Sequence, residues 1–237
     1  MSSSISNQDS NSDSDNERER WNEKYRTASR SRSLGSRSPD SHSDSRSDLR
    51  SDLRSKIDPD PFLPHAFTEY IRPLFPNGGR ALDLAGGAGR HAIWMAKQGW
   101  DVTLIDISET GVEQARQNAG PLASHIHFVV DDLTHFKAAQ IEFAAGFEVV
   151  MVFCYLERRI FSEIVKALRP GGLLIYKTYT SEQAKLAGGP KNPEHLLQPR
   201  ELVQLASRLR ILHYRETLAE KATAELVAGK EIPVTTV

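Results

Sequence analysis

The sequence predicts an α/β protein: a doubly wound, mostly parallel seven-stranded sheet that ends in an antiparallel C-terminal hairpin. Three observations predict it. From residue 57 onward, short apolar runs alternate with amphipathic stretches. Most of those runs are apolar throughout rather than at every second position, as strands buried on both faces are. The last two runs are separated by too few residues for a parallel crossover, so they must be antiparallel neighbours.

The elements follow in order. PFLPHAFTEYIRPLF, 61–75, places Phe67, Ile71, Leu74 and Phe75 at three- and four-residue steps and predicts a helix. Five strands are expected at RALDLA, DVTLID, IHFVV, FEVVMVFCY and GLLIYKTY, beginning at residues 80, 101, 126, 147 and 172. Helices are expected between them at RHAIWMAKQ, 90–98, SETGVEQARQNA, 108–119, and LERRIFSEIVKALR, 156–169. GGPKNPEHLLQP, 188–199, is rich in Gly and Pro and reads as a loop beyond the fifth strand. A further helix at 199–209 precedes two strands, RILHYRETLA and ATAELVAG, joined by a polar turn at Glu220 and Lys221. Trp94 and Trp100 are expected to pack helix against sheet, and Cys154 to lie in the core as part of the apolar fourth strand.

The first 56 residues differ in kind. They hold 18 Ser, eleven Lys and Arg and ten Asp and Glu, with almost no bulky apolar side chains. Such a segment buries too little surface to offset its chain entropy and is expected to be disordered. SDLRSDLR at 47–54 is a tandem duplication, and SRSRSLGSRS at 29–38 is like the Arg-Ser tracts that bind RNA or become phosphorylated, although a solvated linker is the ordinary reading. RWNEKYRTA breaks the pattern, because Trp21 and Tyr25 at i, i+4 spacing share one helix face. The expected organisation is a tail over 1–56, with a lid element at 18–28, followed by one domain over 57–237.

Composition narrows the function classes. A net charge of −1 creates no field that would draw the chain to nucleic acid or membrane. A single cysteine, Cys154, excludes an internal disulfide framework and any CxxC motif, which fits a reducing, cytoplasmic location. No apolar run approaches membrane-spanning length, and MSSSISNQDS is no signal peptide.

The chemistry concentrates in LDLAGGAGRHA, 82–92. In an open parallel sheet, the turn after the first strand anchors the ligand. A dinucleotide site requires G-x-G-x-x-G, and here Gly86-Gly87-Ala88-Gly89 is followed by Arg90-His91-Ala92, so the third glycine is missing. Asp83, at the end of the first strand, would repel a pyrophosphate and attract positive charge. S-adenosylmethionine carries an ammonium and a sulfonium and no phosphate. Asp106 ends the second strand, where a carboxylate can accept hydrogen bonds from two ribose hydroxyls. Asp132 ends the third, within reach of an adenine amino group.

Over residues 57–230 the sequence resembles the class I S-adenosylmethionine-dependent methyltransferases. The family's first motif appears as Leu82-Asp83-Leu84-Ala85-Gly86-Gly87-Ala88-Gly89, with Ala85 in place of a glycine, and LRPGG at 168–172 matches the turn before the fifth strand. The resemblance implies a Rossmann-like methyltransferase fold in which Asp83 binds the methionine ammonium and Ala85, Gly87 and Gly89 form the turn the ligand approaches. It further implies that Asp106 and Ile107 hold the ribose, that Asp132 and the Leu133 N–H read adenine, and that Phe153 and Cys154 border the methionine moiety and acceptor. The Trp-x3-Tyr element is similar to that of the tellurite-resistance and thiopurine-type small-molecule methyltransferases, where it lies beside the cofactor pocket. That similarity points to Trp21 and Tyr25 as further pocket residues.

The implied reaction is an in-line methyl displacement governed by positioning. A soft sulfur, selenium or tellurium acceptor needs little proton removal, whereas oxygen or nitrogen would need a base. His91, His127, Tyr155, Lys177 and Tyr179 are the candidates, but none stands in a recognisable constellation, so no catalytic base is assigned. His125 and His127 lack further ligands at metal spacing, and no metal is expected. The expected partner is a small-molecule methyl acceptor, not nucleic acid or membrane. Two other classes stay open: a non-catalytic S-adenosylmethionine-binding protein whose Arg-Ser tail is its working part, and, against the missing glycine and Asp83, a nicotinamide-dependent oxidoreductase.

Overall fold

In the computed structural model, which describes residues 14–27, 58–140 and 146–232, the apolar runs become strands of one sheet. They are β1 (Arg80–Leu84), β2 (Asp101–Asp106), β3 (Ile126–Val130), β4 (Phe147–Phe153), β5 (Leu168–Tyr179), β6 (Arg210–Leu218) and β7 (Ala222–Gly229). Their spatial order is β3-β2-β1-β4-β5-β7-β6. The pairings among β1 to β5 are parallel, and β7 runs antiparallel to both β5 and β6. The chain thus turns outward from β1 in both directions, and the carboxyl ends of β1, β2 and β3 meet on one edge of the sheet.

Strand pleating divides the core. Ala81, Val149, Met151, Phe153 and Ile175 face one side, packed with Phe62, Leu63, Met95 and Trp100. Leu82, Leu84, Val150, Val152 and Tyr176 face the other, packed with Phe161, Ile164 and Leu202. Alternate residues of one strand therefore feed two cores, which is why these runs are apolar at consecutive positions. Trp100 is fully buried, and Trp94 meets Phe67 edge-on at 5.2 Å.

The helices are α1 (residues 14–27), α2 (Phe62–Ala66), α3 (Arg72–Leu74), α4 (Arg90–Lys97), α5 (Glu109–Ala119), α6 (Phe161–Ala167) and α7 (Glu201–Leu205). A π-helical turn, Phe67–Ile71, joins α2 to α3. Pro73 lies just beyond it, where its ring crowds the preceding turn and supplies no N–H. Two expected helices are shorter than their apolar periodicity. At 156–169 the α-helix is confined to α6 after a 3-10 turn at Arg158–Ile160, because Leu168 already pairs with Phe147 as the start of β5. At 199–209 only α7 is helical, since Arg200 enters it from the left-handed region at φ 60°.

Cys154 corrects an expectation. It lies one residue past β4 with φ 57° and is exposed, not core, because the chain leaves the sheet there. Residues 14–27 of the tail are helical, so the disorder expected of residues 14–17 does not hold there; the Arg-Ser tract and the tandem duplication lie outside the described residues. Among the described residues, no helix is long and apolar enough to cross a membrane.

Candidate functional site

The site is built where β1 turns into α4. Asp83 sits one residue before the end of β1, 1% exposed. Its Oδ2 accepts the N–H of Ala92 in α4 at 3.1 Å, while its Oδ1 is buried with no hydrogen-bond partner. Burial pushes this carboxyl up to about 7, with the Ala92 N–H and Arg90 acting against the shift and Asp106 adding to it. A carboxylate in that position is short of one positive partner.

Asp106 closes the opposite side of the turn. Its Oδ2 accepts the N–H of Gly87 at 2.8 Å and its Oδ1 the N–H of Ser108 at 2.9 Å. Burial raises its pKa and these two donors lower it. The end of β2 is thereby tied to the glycine turn. Within that turn Ala85, Gly87 and Gly89 have φ of 57°, 53° and 82°, the left-handed region. Ile107, half-buried, follows Asp106.

Asp132 caps the 3-10 turn Leu133–His135 by accepting the N–H of Thr134 at 2.8 Å, and Ser14 of α1 donates to its other oxygen at 2.5 Å. Partial burial raises its pKa, but these donors and His135 outweigh it and hold the carboxyl below its ordinary range. Leu133 turns its side chain into the core beside Ile105. Phe153 is buried, stacked on His91 with ring centroids 4.0 Å apart and packed near Phe62 at 6.5 Å.

Helix α1 crosses over this edge. Ser14 reaches Asp132, and eleven residues later the Tyr25 ring lies on Gly87 and Gly111; at 1.5 Å per residue that is a span of roughly 16 Å. Trp21 and Tyr25 do share a face, with centroids 6.3 Å apart, and the Lys24 ammonium lies 4.0 Å above the Trp21 ring. Burial holds Lys24 below its ordinary pKa, with Arg20 adding and Cys154 and Asp106 opposing. The structure thus gathers Asp83, Ala85, Gly87, Gly89, Asp106, Asp132, Trp21 and Tyr25 along one edge.

The candidate bases are otherwise engaged. His91 accepts the Asp60 N–H on Nε2 at 3.3 Å, and burial, with Arg90 and Lys177 nearby, keeps its pKa far below the ordinary value. Lys177 is paired with Asp60 at 2.9 Å and Glu225 at 3.6 Å. Burial raises Tyr155, and it raises Tyr179 to about 12 with help from Cys154. His127 lines a shallow groove with Arg80, Asp101 and His125 at the opposite end of the sheet.

Sequence reading missed Asn22, Ser108, Gly111 and Gln114. Ser108 caps α5 by accepting the N–H of Gly111 at 3.0 Å, and a Ser directly before an amphipathic run was a legible N-cap signal. Asn22 carried none, because its partners lie 86 and 88 positions away.

Parts of the chain are similar to known proteins. Residues 81–172 match the family described as "Methyltransferase domain". The putative methyltransferase YqeM of Bacillus subtilis is 30% identical over 135 residues, 52% of this chain and 53% of that protein. The tRNA 5-carboxymethoxyuridine methyltransferase of Escherichia coli is 27% identical over 137 residues, 51% and 52% of the two chains. The chain thus spans about half the length of these curated relatives. Among solved structures, TehB from Haemophilus influenzae superposes with a TM-score of 0.58 at 16% identity, covering 73% of this chain and 63% of that one. The N-methyltransferase NodS from Bradyrhizobium japonicum, in complex with S-adenosyl-L-homocysteine, gives 0.56 at 19% identity, covering 74% and 90%. The fold is the Rossmann-like one of these solved structures, and the similarity to the methyltransferase domain model lies over residues 81–172.

Proposed function

We propose that this protein transfers a methyl group from S-adenosylmethionine to a small-molecule acceptor, with a soft sulfur, selenium or tellurium nucleophile as the leading acceptor class. The observation that carries the cofactor reading is the Oδ1 of Asp83, buried, unpartnered and beside a glycine turn. The methionine ammonium supplies the missing positive partner, and Gly87 bears no side chain where the Tyr25 ring closes on the turn.

In this reading Asp83 orients the methionine end, Asp106 and Ile107 hold the ribose, and Asp132 with the Leu133 N–H reads adenine. Ala85, Gly87 and Gly89 form the cradle. Trp21 and Tyr25 cover the pocket and keep water out, while Phe153 and Cys154 border the acceptor side. When bound, S-adenosylmethionine supplies an electrophilic methyl group. The chain's own task is then to hold two reactants in line in a dry site. Among the candidate bases, His91 accepts the Asp60 N–H, Lys177 is paired with Asp60, and burial holds Tyr155 and Tyr179 as neutral phenols, which supports an acceptor that is nucleophilic without proton removal by one of these groups. The single cysteine keeps a reducing, cytoplasmic setting as part of this reading.

Calorimetric titration with S-adenosylmethionine, S-adenosylhomocysteine and NAD tests the cofactor assignment; binding of NAD alone would overturn it. Incubating lysate with methyl-labelled S-adenosylmethionine tests the acceptor, and label in small metabolites is expected. The similarity to a tRNA-modifying enzyme favours one second reading, a nucleic-acid acceptor, and label predominantly in RNA would establish it instead.

A further inference from the structure

Helix α5 is capped by two residues, only one of which is its own. Ser108 accepts the N–H of Gly111 at 3.0 Å in the usual way. The N–H of Thr110, another of the donors that a helix start leaves unpaired, is instead taken by Oδ1 of Asn22 in α1 at 3.2 Å. The same oxygen accepts the Ser108 hydroxyl at 2.7 Å, so the chain Gly111 N–H to Ser108 Oγ–H to Asn22 Oδ1 is continuous. Asn22 is 5% exposed although it belongs to an otherwise polar helix. One turn along α5, the Gln114 amide donates to the main-chain carbonyl of Tyr25 at 3.0 Å.

Shape agrees with the bonding. A β-carbon at Gly111 would stand 2.9 Å from Cε2 of Tyr25. Glycine in the first turn of α5 weakens that helix relative to alanine, and here it opens the space the ring fills. On its other side, the phenolic oxygen of the same ring rests on Gly87 in the turn proposed to receive the cofactor. A docked α1 therefore touches the rim of the cradle at Gly87. Hydrogen bonds of this kind are individually modest in net worth, strong enough together to close a helix down and weak enough to release it.

We propose that Asn22 is the latch of a movable wall: α1 closes the pocket by completing the cap of α5, and it must leave α5 for cofactor to enter or depart. The inference rests on the pocket assignment above and adds to it a positioning residue and an order of events. When α1 is latched, the apparent affinity of the free protein is reduced by the fraction of molecules that are open. Removing the latch raises that fraction, so association accelerates. Dissociation accelerates as well, because the closed complex loses the same bonds.

The test uses full-length wild type, Asn22→Ala and Gly111→Ala. The second variant leaves Asn22 and its partners intact but places a methyl against the Tyr25 ring. S-adenosylhomocysteine association and dissociation rates are measured by stopped flow with Trp21 emission, and trypsin cleavage at Arg20, Lys24 and Arg26 is followed in the cofactor-free proteins. An isolated helix of this length is unstable in water, so an unlatched α1 is cut readily. Both variants are expected to be cleaved within α1 about tenfold faster, Asn22→Ala through its lost hydrogen bonds and Gly111→Ala through the methyl pressed on the Tyr25 ring, and to show faster association and faster dissociation. Unchanged cleavage in Asn22→Ala, or faster dissociation with unchanged association, would make α1 a fixed wall and overturn the proposal. Wild type that fails to bind S-adenosylhomocysteine would overturn the pocket assignment instead, and the cleavage rates would still decide whether Asn22 latches α1.

Discussion

The phenolic oxygen of Tyr25 rests on the backbone of Gly87, where a β-carbon would lie 2.0 Å away. No rearrangement short of moving the ring accommodates a side chain there, and φ of 53° adds backbone strain to any replacement. Gly87→Val is therefore expected to dislodge α1 and to abolish measurable cofactor binding while the sheet stays folded. Calorimetry and circular dichroism check the two halves of this statement, and tight binding by the variant would mean that the glycine serves only the turn.

Asp106 carries both a structural and a binding role. Replacement by Ala should weaken S-adenosylmethionine binding by about 1.5–3 kcal/mol, the usual worth of hydrogen bonds to a charged group. It should also lower the melting temperature of the cofactor-free protein, because the N–H groups of Gly87 and Ser108 lose their acceptor. Asp106→Asn, which keeps one oxygen, should show a smaller loss in both measurements. An unchanged dissociation constant in Asp106→Ala would remove this residue from the site.

Asp83 makes the cofactor-free protein sensitive to pH. Its carboxyl titrates near 7 in the folded state against an ordinary 3.8. Between these values the folded protein holds a proton that the unfolded chain has released, so this group's contribution makes stability fall as pH rises from about 4 to about 7 and then level off. Asp83→Asn should remove that fall, so that its melting temperature gains on wild type across the window. Binding of a cationic ligand requires the ionised form. Titrations at pH 6 in buffers of different ionisation enthalpy should therefore show proton release by wild type and less by the variant. Proton uptake on binding would contradict the assignment.

Ala85 occupies the left-handed region at φ 57°, which is unfavourable for any residue with a β-carbon. Ala85→Gly relieves that strain but gives the unfolded chain more freedom. The balance should be stabilising by about 0.5–1 kcal/mol, and the melting temperature should rise by roughly 1–4 °C. A lower melting temperature would show that the methyl group contributes packing worth more than the strain.

Much of the site was legible because its signals are local. A carboxylate at the end of an apolar run, followed by glycines, is a statement about one strand and one turn, and Asp83 and Asp106 stand at the strand ends that their runs predict. Trp21 and Tyr25 were visible as a pair because helical periodicity places i and i+4 together. Asn22, between them, was not. Its worth depends on Ser108 and Thr110, which no periodicity links to it. His127 and Tyr179 look alike as candidates in sequence, yet they lie at opposite ends of the sheet.

The sequence by itself determined the strands, their parallel arrangement and the antiparallel hairpin, since the hydrophobic period and the length of each connection are properties of neighbouring residues. Only the tertiary structure decided the rest. Cys154 is exposed because the chain leaves β4 one residue earlier, and α6 and α7 are short because pairing of Leu168 and the backbone of Arg200 overrode local propensity. Burial pushes the Asp83 carboxyl up because desolvation is a property of everything packed around a group. The closure of α1 on α5 depends on hydrogen bonds and van der Waals fit, which act over a few ångströms in space and leave no period in the chain.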